Sequence, residues 1–286
     1  MSELGDRVKA QMNRADIHDV WEATYRTTGN ERLFEQCFDA IVAMAAQPKD
    51  SLALDIGCGI GANSTRLARR GYRVEAGDWS EPILERGRAR LAAMGLSDRV
   101  RMTRQDITAL DFPDANFDLT LCWGVLMHIP DIERALAQLL RVTRPGGYLV
   151  FEEVNVNSPE AWLDRLRWRA MSSLREKKIS FVPTDAGIEH IVDFRGEKLF
   201  WRQIRIEWLV RRLTELGCQN TDVRAGMFTE LHLRLPELLQ RPADAWNRLY
   251  QRSLRSPAFS KHVVLTFRKA PHTSQLISHS SPVAWP

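Results

Sequence analysis

The segment Leu52–Gly61 constrains the fold of this chain more than any other stretch. Leu52-Ala53-Leu54-Asp55-Ile56 reads as a short buried strand, and three glycines follow at alternate positions, Gly57, Gly59 and Gly61. A short apolar run ended by glycines is the pattern of a strand covered on both faces. Glycine has no Cβ, so a ligand can lie against bare backbone there. The same pattern then alternates with helices. Asn63 to Arg70 reads as a helix stopped by Gly71, and Arg73 to Ala76 as a second strand. Glu81 to Met94 is a helix with Pro82 tolerated in its first turn, and Val100 to Arg104 a third strand. Phe117 to Trp123 and Gly147 to Val154 read as fourth and fifth strands around a helix at Ile132 to Val142. Such alternation predicts a parallel sheet covered on both faces, with its ligand beyond the carboxyl ends of the strands.

The glycine spacing departs from the dinucleotide fingerprint. The third glycine comes two residues after the second rather than three, and Asp55 precedes the first, where it would repel a pyrophosphate. An acid at that point suits a cationic ligand. Two further acids fall where strands end. Asp78 stands about twenty residues beyond the loop, where a carboxylate can accept from ribose hydroxyls. Asp106 follows the third strand, where it could accept from an adenine amino group. Asp78 or Asp106 alone is more readily a solvated surface acid; three acids at successive strand ends beside a glycine loop predict a binding site.

These residues resemble the class I S-adenosylmethionine-dependent methyltransferases. Asp55-Ile56-Gly57-Cys58-Gly59-Ile60-Gly61 looks like the family's first motif, and Gly77-Asp78-Trp79-Ser80 like its acidic ribose position. Asp106-Ile107 resembles the adenine site, and Phe117-Asp118-Leu119 with Trp123 to Pro130 the fourth-strand motif. Leu140 to Gly147 is similar to the turn entering the fifth strand. The resemblance covers roughly residues 50 to 155 strongly and 205 to 270 weakly. It implies a Rossmann-like, doubly wound α/β fold whose seven-stranded sheet has its last strand antiparallel. It also implies S-adenosylmethionine as cofactor, held by Asp55, Gly57, Cys58, Gly59, Gly61, Asn63, Asp78, Trp79, Asp106, Ile107, Cys122 and Trp123. Trp79 is placed either against the adenine or ribose or in the core. Tyr25, with Trp21 and Arg26, could close over the cofactor, as such segments do in related enzymes.

His128, after the fourth strand, is the candidate catalytic base, with an ordinary pKa near 6.5 that lets it take a proton at neutral pH; packing of the loop is the competing reading. Glu153, Glu230 and His232 are further candidates for the acceptor pocket. The chain of 286 residues divides into an N-terminal helical lid segment (1–48), a methyltransferase domain (49–270) with an inserted substrate cap (155–205), and a disordered tail (271–286). The cap contains a basic amphipathic helix, Pro159 to Lys178, that could meet an anionic acceptor or touch an acidic membrane surface.

Composition narrows the function classes. Basic groups exceed acidic ones by only four, 40 against 36, which argues against a general nucleic-acid binder. The four cysteines are widely spaced with no CxxC, so neither a zinc site nor a disulfide framework is expected. No apolar run is long enough to span a bilayer, and Met1 to Asn13 is polar without a signal-peptide stretch. The expectation is a cytoplasmic methyltransferase acting on a small-molecule or glycan/lipid acceptor, at oxygen. The alternatives are N-methylation of an amine or peptide, RNA methylation, and a non-catalytic cofactor-binding protein.

Overall fold

β1 (Leu52–Ile56) sits mid-sheet because its residues from Ala53 onward are all buried, as a strand flanked by partners on both sides requires. The computed structural model describes residues 3–14, 28–172, 178–194, 197–230, 241–242, 245–250 and 256–271. β1 pairs in parallel with β2 (Arg73–Asp78) and with β4 (Phe117–Trp123). Outside these lie β3 (Val100–Arg104) and β5 (Thr143–Val154), also parallel. β10 (His262–Lys269) runs antiparallel to both β5 and β9 (Cys218–Ala225), giving the order β3-β2-β1-β4-β5-β10-β9. The seven-stranded sheet with an antiparallel last strand is as expected.

The strand period of two sends alternate side chains to opposite faces. Leu54, Ile56, Phe151 and Phe267 meet α5 (Ile132–Val142) and α7 (Ile206–Glu215) through Leu136, Leu139, Leu209 and Leu213. Ala53, Leu119, Leu121 and Val150 face the other way, toward Phe38 and Ile41 of α2 (Thr28–Ala45) and Leu67 of α3 (Ala62–Arg69). α4 (Glu81–Ala93) covers the same side through Leu84 and Leu91. At the start of α5 the Asp131 carboxylate accepts from the Arg134 amide, satisfying one of the orphan donors of a helix terminus.

Several boundaries depart from the sequence reading. The second strand extends through Asp78, and the fifth begins at Thr143 rather than Gly147. The polar N-terminus forms a helix, α1 (Glu3–Met12), and of the segment read as helical from 14 to 47 the described part is α2. Residues 15–27, with Trp21, Tyr25 and Arg26, lie outside the described residues, as do His232 and the tail from 272.

The largest correction is in the inserted cap. The basic helix ends at Ser172 as α6 (Pro159–Ser172), and an antiparallel three-stranded sheet follows: β6 (Lys178–Thr184), β7 (Gly187–Phe194) and β8 (Glu197–Ile204). The cap is stapled to the main domain by Arg202 of β8. This side chain is 2% exposed, pairs with Glu189 at 2.6 Å, and donates to the carbonyls of Ile129 and Pro130 at 3.0 and 3.1 Å. On α6, Ala161 and Asp164 turn inward, while Trp162, Leu163 and Leu166 face solvent beside Arg167 and Arg169.

Candidate cofactor and acceptor site

A cavity of about 130 Å³ opens at the carboxyl edge of the parallel strands. Each sheet loop contributes in turn: Gly57 after β1, Asp78 and Trp79 at the end of β2, Gln105, Asp106 and Ile107 after β3, and Gly124, Val125, His128 and Ile129 after β4. Val8, Lys9 and Met12 of α1 close it from outside. A larger concavity, about 940 Å³, lies among Asp50, Arg73, Arg99 and Arg101 at the amino ends of β1, β2 and β3. That edge is tied by ion pairs such as Arg101–Glu75 and is the end of a parallel sheet at which ligands are not bound. The smaller cavity is therefore the candidate site.

The loop after β1 is shaped by positive φ at Gly57, Gly59 and Gly61: +72°, +54° and +77°. A Cβ on Gly57 would stand 2.2 Å from a Val125 methyl, so this turn admits no side chain. Above Gly59 there is open space, with nothing within 4 Å of the point a Cβ would occupy. The Asp78 carboxylate binds this loop to the next: Oδ2 accepts from the Gly59 amide and Oδ1 from the Ser80 amide, both at 2.9 Å. Asp106 folds its own turn, with Oδ1 accepting from the Thr108 amide at 2.9 Å and hydroxyl at 2.7 Å. Its Oδ2 pairs with Lys9 of α1. Burial pushes the Asp106 carboxyl up, but the bonds from Lys9 and Thr108 outweigh it and hold it below the ordinary value. Trp79 lies between two cations, with Lys9 Nζ 4.6 Å and Arg104 Cζ 4.4 Å from its ring centre.

Of the sequence-derived site residues, Gly57, Asp78, Trp79, Asp106, Ile107 and His128 come together on the cavity. Others stand behind it. Asp55 is 1% exposed, and its Oδ2 accepts from the Ser64 hydroxyl at 2.6 Å, bracing α3 behind the glycine loop. Burial pushes its pKa up to about 6, against the Ser64 bond. Cys58 and Cys122 are buried thiols raised by desolvation, and Asn63 accepts from Arg66 at 2.8 Å. Gly61 caps α3, and Trp123 packs on Phe34 and Phe38, with ring centres 5.5 and 5.3 Å away.

His128 sits in a single 3-10 turn, Leu126–His128, against β8 of the cap. Burial lowers its pKa to about 4, opposed by the backbone of Phe200. The sequence reading assigned it the ordinary value; the imidazole is instead neutral and weakly basic throughout the physiological range. Glu153 does not face the cavity. Its Oε1 accepts from the Leu126 amide at 3.0 Å and fixes the turn that carries His128, and burial pushes its pKa well above the ordinary carboxylate range. Val8, Lys9 and Met12 had no signal in the sequence, because only the fold brings them to this edge. Among the described residues, no group of three or more His, Cys, Asp or Glu side chains could hold a metal ion.

Comparison with known proteins follows the same geometry. Residues 54–151, from β1 into β5, match the family described as methyltransferase domain. The chain is 35% identical over 154 residues to demethylmenaquinone methyltransferase of Clavibacter sepedonicus, covering 54% of this chain and 57% of that protein. It is 34% identical over 105 residues to sterol 24-C-methyltransferase of Eremothecium gossypii, covering 36% and 28%. The chain thus matches less than two thirds of the length of these relatives. A solved protein of Pyrococcus horikoshii shares the fold with a TM-score of 0.59 at 14% identity, over 90% of this chain and 99% of that one. The described cap and α1 lie outside the 54–151 methyltransferase match.

Proposed function

We propose that this chain is an S-adenosylmethionine-dependent methyltransferase acting on a small-molecule acceptor, at a hydroxyl oxygen. The observation that carries this reading is the cavity at the carboxyl edge, where Gly57, Asp78, Trp79, Asp106 and Ile107 follow one another along three adjacent strands. The residues fit the cofactor. Free space over Gly59 leaves room beside bare backbone for its amino-acid end, Asp78 suits its ribose, and Asp106 with apolar Ile107 suits its adenine. When bound, it supplies a methyl group on a sulfonium, an electrophile that needs no covalent enzyme intermediate.

The work left to the protein is to hold the acceptor in line with the methyl and to exclude water. His128 and Gly124 bound the cavity at the β4 end, and the cap sheet closes over this turn. A neutral His128 orients an acceptor hydroxyl by hydrogen bonding; its weak basicity makes it a poor store for the proton. The solvent face of α6, with Trp162, Leu163 and Leu166 next to Arg167 and Arg169, favours an amphiphilic acceptor such as a lipid or glycan intermediate. The relatives named for demethylmenaquinone and sterols point to apolar acceptors too. The second of those names, a 24-C-methyltransferase, supports carbon as the alternative methylated atom.

The test is transfer of labelled methyl to hydroxylated aromatic and lipid-like acceptors, with amines and RNA in parallel. Label extracted into organic solvent with an acceptor bearing a hydroxyl is the expected result. Label confined to RNA or to amines would contradict the acceptor class.

A further inference from the structure

Behind Gly124, on the sheet face opposite Glu153, lies a buried chain of ionisable groups that the cofactor reading does not use. Glu152 of β5 hydrogen-bonds through Oε1 to His262 Nδ1, and His262 Nε2 to Glu230 Oε1 at 2.7 Å. Lys261 backs this array, 2.7 Å from Asp164 and 3.9 Å from Glu230. The Glu230 amide donates to Glu160 Oε2 at 3.0 Å, and Glu160 Oε1 is buried with no hydrogen bond. Glu152, His262 and Glu230 are each less than a tenth exposed.

The other Glu152 oxygen is differently placed. Oε2 takes no hydrogen bond from any described residue, and it lies 3.4 Å from the point a Cβ on Gly124 would occupy. Gly124 is itself a wall of the cavity, and its amide donates to the Glu152 carbonyl at 2.8 Å, which locks the two strand ends together. The cavity has a direction. Asp106 and Ile107 mark the adenine end and Asp78 the ribose, so the loops after β1 and β4 mark the end of the sulfonium and its methyl. At that end the Glu152 carboxylate has one oxygen held by His262 and the other without a hydrogen bond, not sealed from solvent and so open to a ligand.

We propose that Glu152 is the acceptor-binding carboxylate of this site, with His262 and Glu230 as the residues that position it, and that its ligand is the O–H or N–H of the nucleophile. This rests on the cofactor reading above. In the transfer, the lone pair of the acceptor forms the new bond to the methyl carbon. The carbon–sulfur bond breaks with its electron pair going to sulfur, and the acceptor's proton passes to Glu152 Oε2. The sequence had pointed to Glu153 and Glu230 near this place; the pleat turns Glu153 away and presents Glu152.

A pair of nucleoside probes tests this without knowledge of the acceptor. S-adenosylhomocysteine lacks the methyl, whereas sinefungin carries an ammonium where the methyl would be transferred. Calorimetry on the full chain should show that Glu152→Gln weakens sinefungin at least tenfold and S-adenosylhomocysteine less than threefold. His262→Gln should move the same ratio in the same direction by a smaller factor. Glu152→Asp keeps the charge beside His262 and withdraws it by one methylene, so it reads the same point if Glu152→Gln fails to fold; it should lose part of the sinefungin affinity alone. Equal changes for both probes, or none, would overturn the assignment of Glu152. If neither probe binds the wild-type chain, the cofactor reading itself falls, and this proposal with it.

Discussion

At Gly57 the backbone turns with φ of +72°, and the space a Cβ would need is already filled by Val125. Gly57→Ala should therefore cost about 1–2 kcal/mol in backbone strain alone, and more through the clash. Chemical denaturation should register the loss, and affinity for S-adenosylhomocysteine should fall more than tenfold. His262 and His128 act on opposite limbs of the pH profile, and His190, which burial also holds near 4, adds to the same limb as His128. For His262, burial pulls the pKa down, but Glu152 and Glu230 outweigh it and push it up to about 10. Its contribution is complete below the unfolded value near 6.5 and is lost as pH rises toward 10. His128 is held near 4, so its contribution is lost as pH falls from about 6.5 toward 4. The melting temperature should peak near neutrality, His262→Gln should flatten the alkaline limb, and His128→Gln the acid limb. A profile unchanged by either substitution would contradict these assignments. Gly57 and His128 were legible in the sequence, but the pairing of Glu152 with His262 was not: they are 110 positions apart and meet because β10 pairs with β5.

Among the elements, the central strands were readable because a buried parallel strand has little choice but a short apolar run, as in Leu52–Ile56 and Phe117–Trp123. The cap strands were not. β6 contains Pro183 and follows a basic helical stretch, so its pattern merged with the helix; the signal available was the Asp185-Ala186 turn between β6 and β7. One tie between the cap sheet and the domain is the Arg202 side chain. Arg202→Met should destabilise by on the order of 2 kcal/mol, less than a fully buried pair because Glu189 keeps some water contact. Acceptor-dependent turnover should fall further than cofactor affinity, since the turn bearing His128 loses its two anchors at Ile129 and Pro130. α1 presents a different case. Its Lys9 holds the Asp106 oxygen that an adenine amino group would approach, and the cavity of about 130 Å³ is smaller than the ~300 Å³ or more of small-molecule sites. Binding must then move α1 outward. Lys9→Ala is expected to tighten S-adenosylhomocysteine severalfold by calorimetry; a weakened complex would show that Lys9 helps hold the cofactor instead.

At the scale of the molecule, a length between one domain and two resolves into one sheet with additions at both ends of the matched region. The parallel strands and the site edge follow from alternation, whereas the antiparallel last strand was implied by the resemblance and is found in the sheet. The cap and α1 do not, since they form by burying surface against a domain that must exist first. The net charge of +4 conceals an uneven distribution. Carboxylates gather near the site in Asp78, Asp106, Glu152 and Glu230, three of them buried, and arginines on the outer face of α6. Among the described residues no helix is long and apolar enough to cross a membrane. The central claim is that the carboxyl edge of this sheet holds the cofactor, and calorimetric titration with S-adenosylhomocysteine tests it most directly. Saturable binding at one site per chain is expected, weakened at least tenfold by Asp78→Ala while the variant stays folded. Absence of binding by the wild-type chain, or equal affinity in the variant, would contradict it.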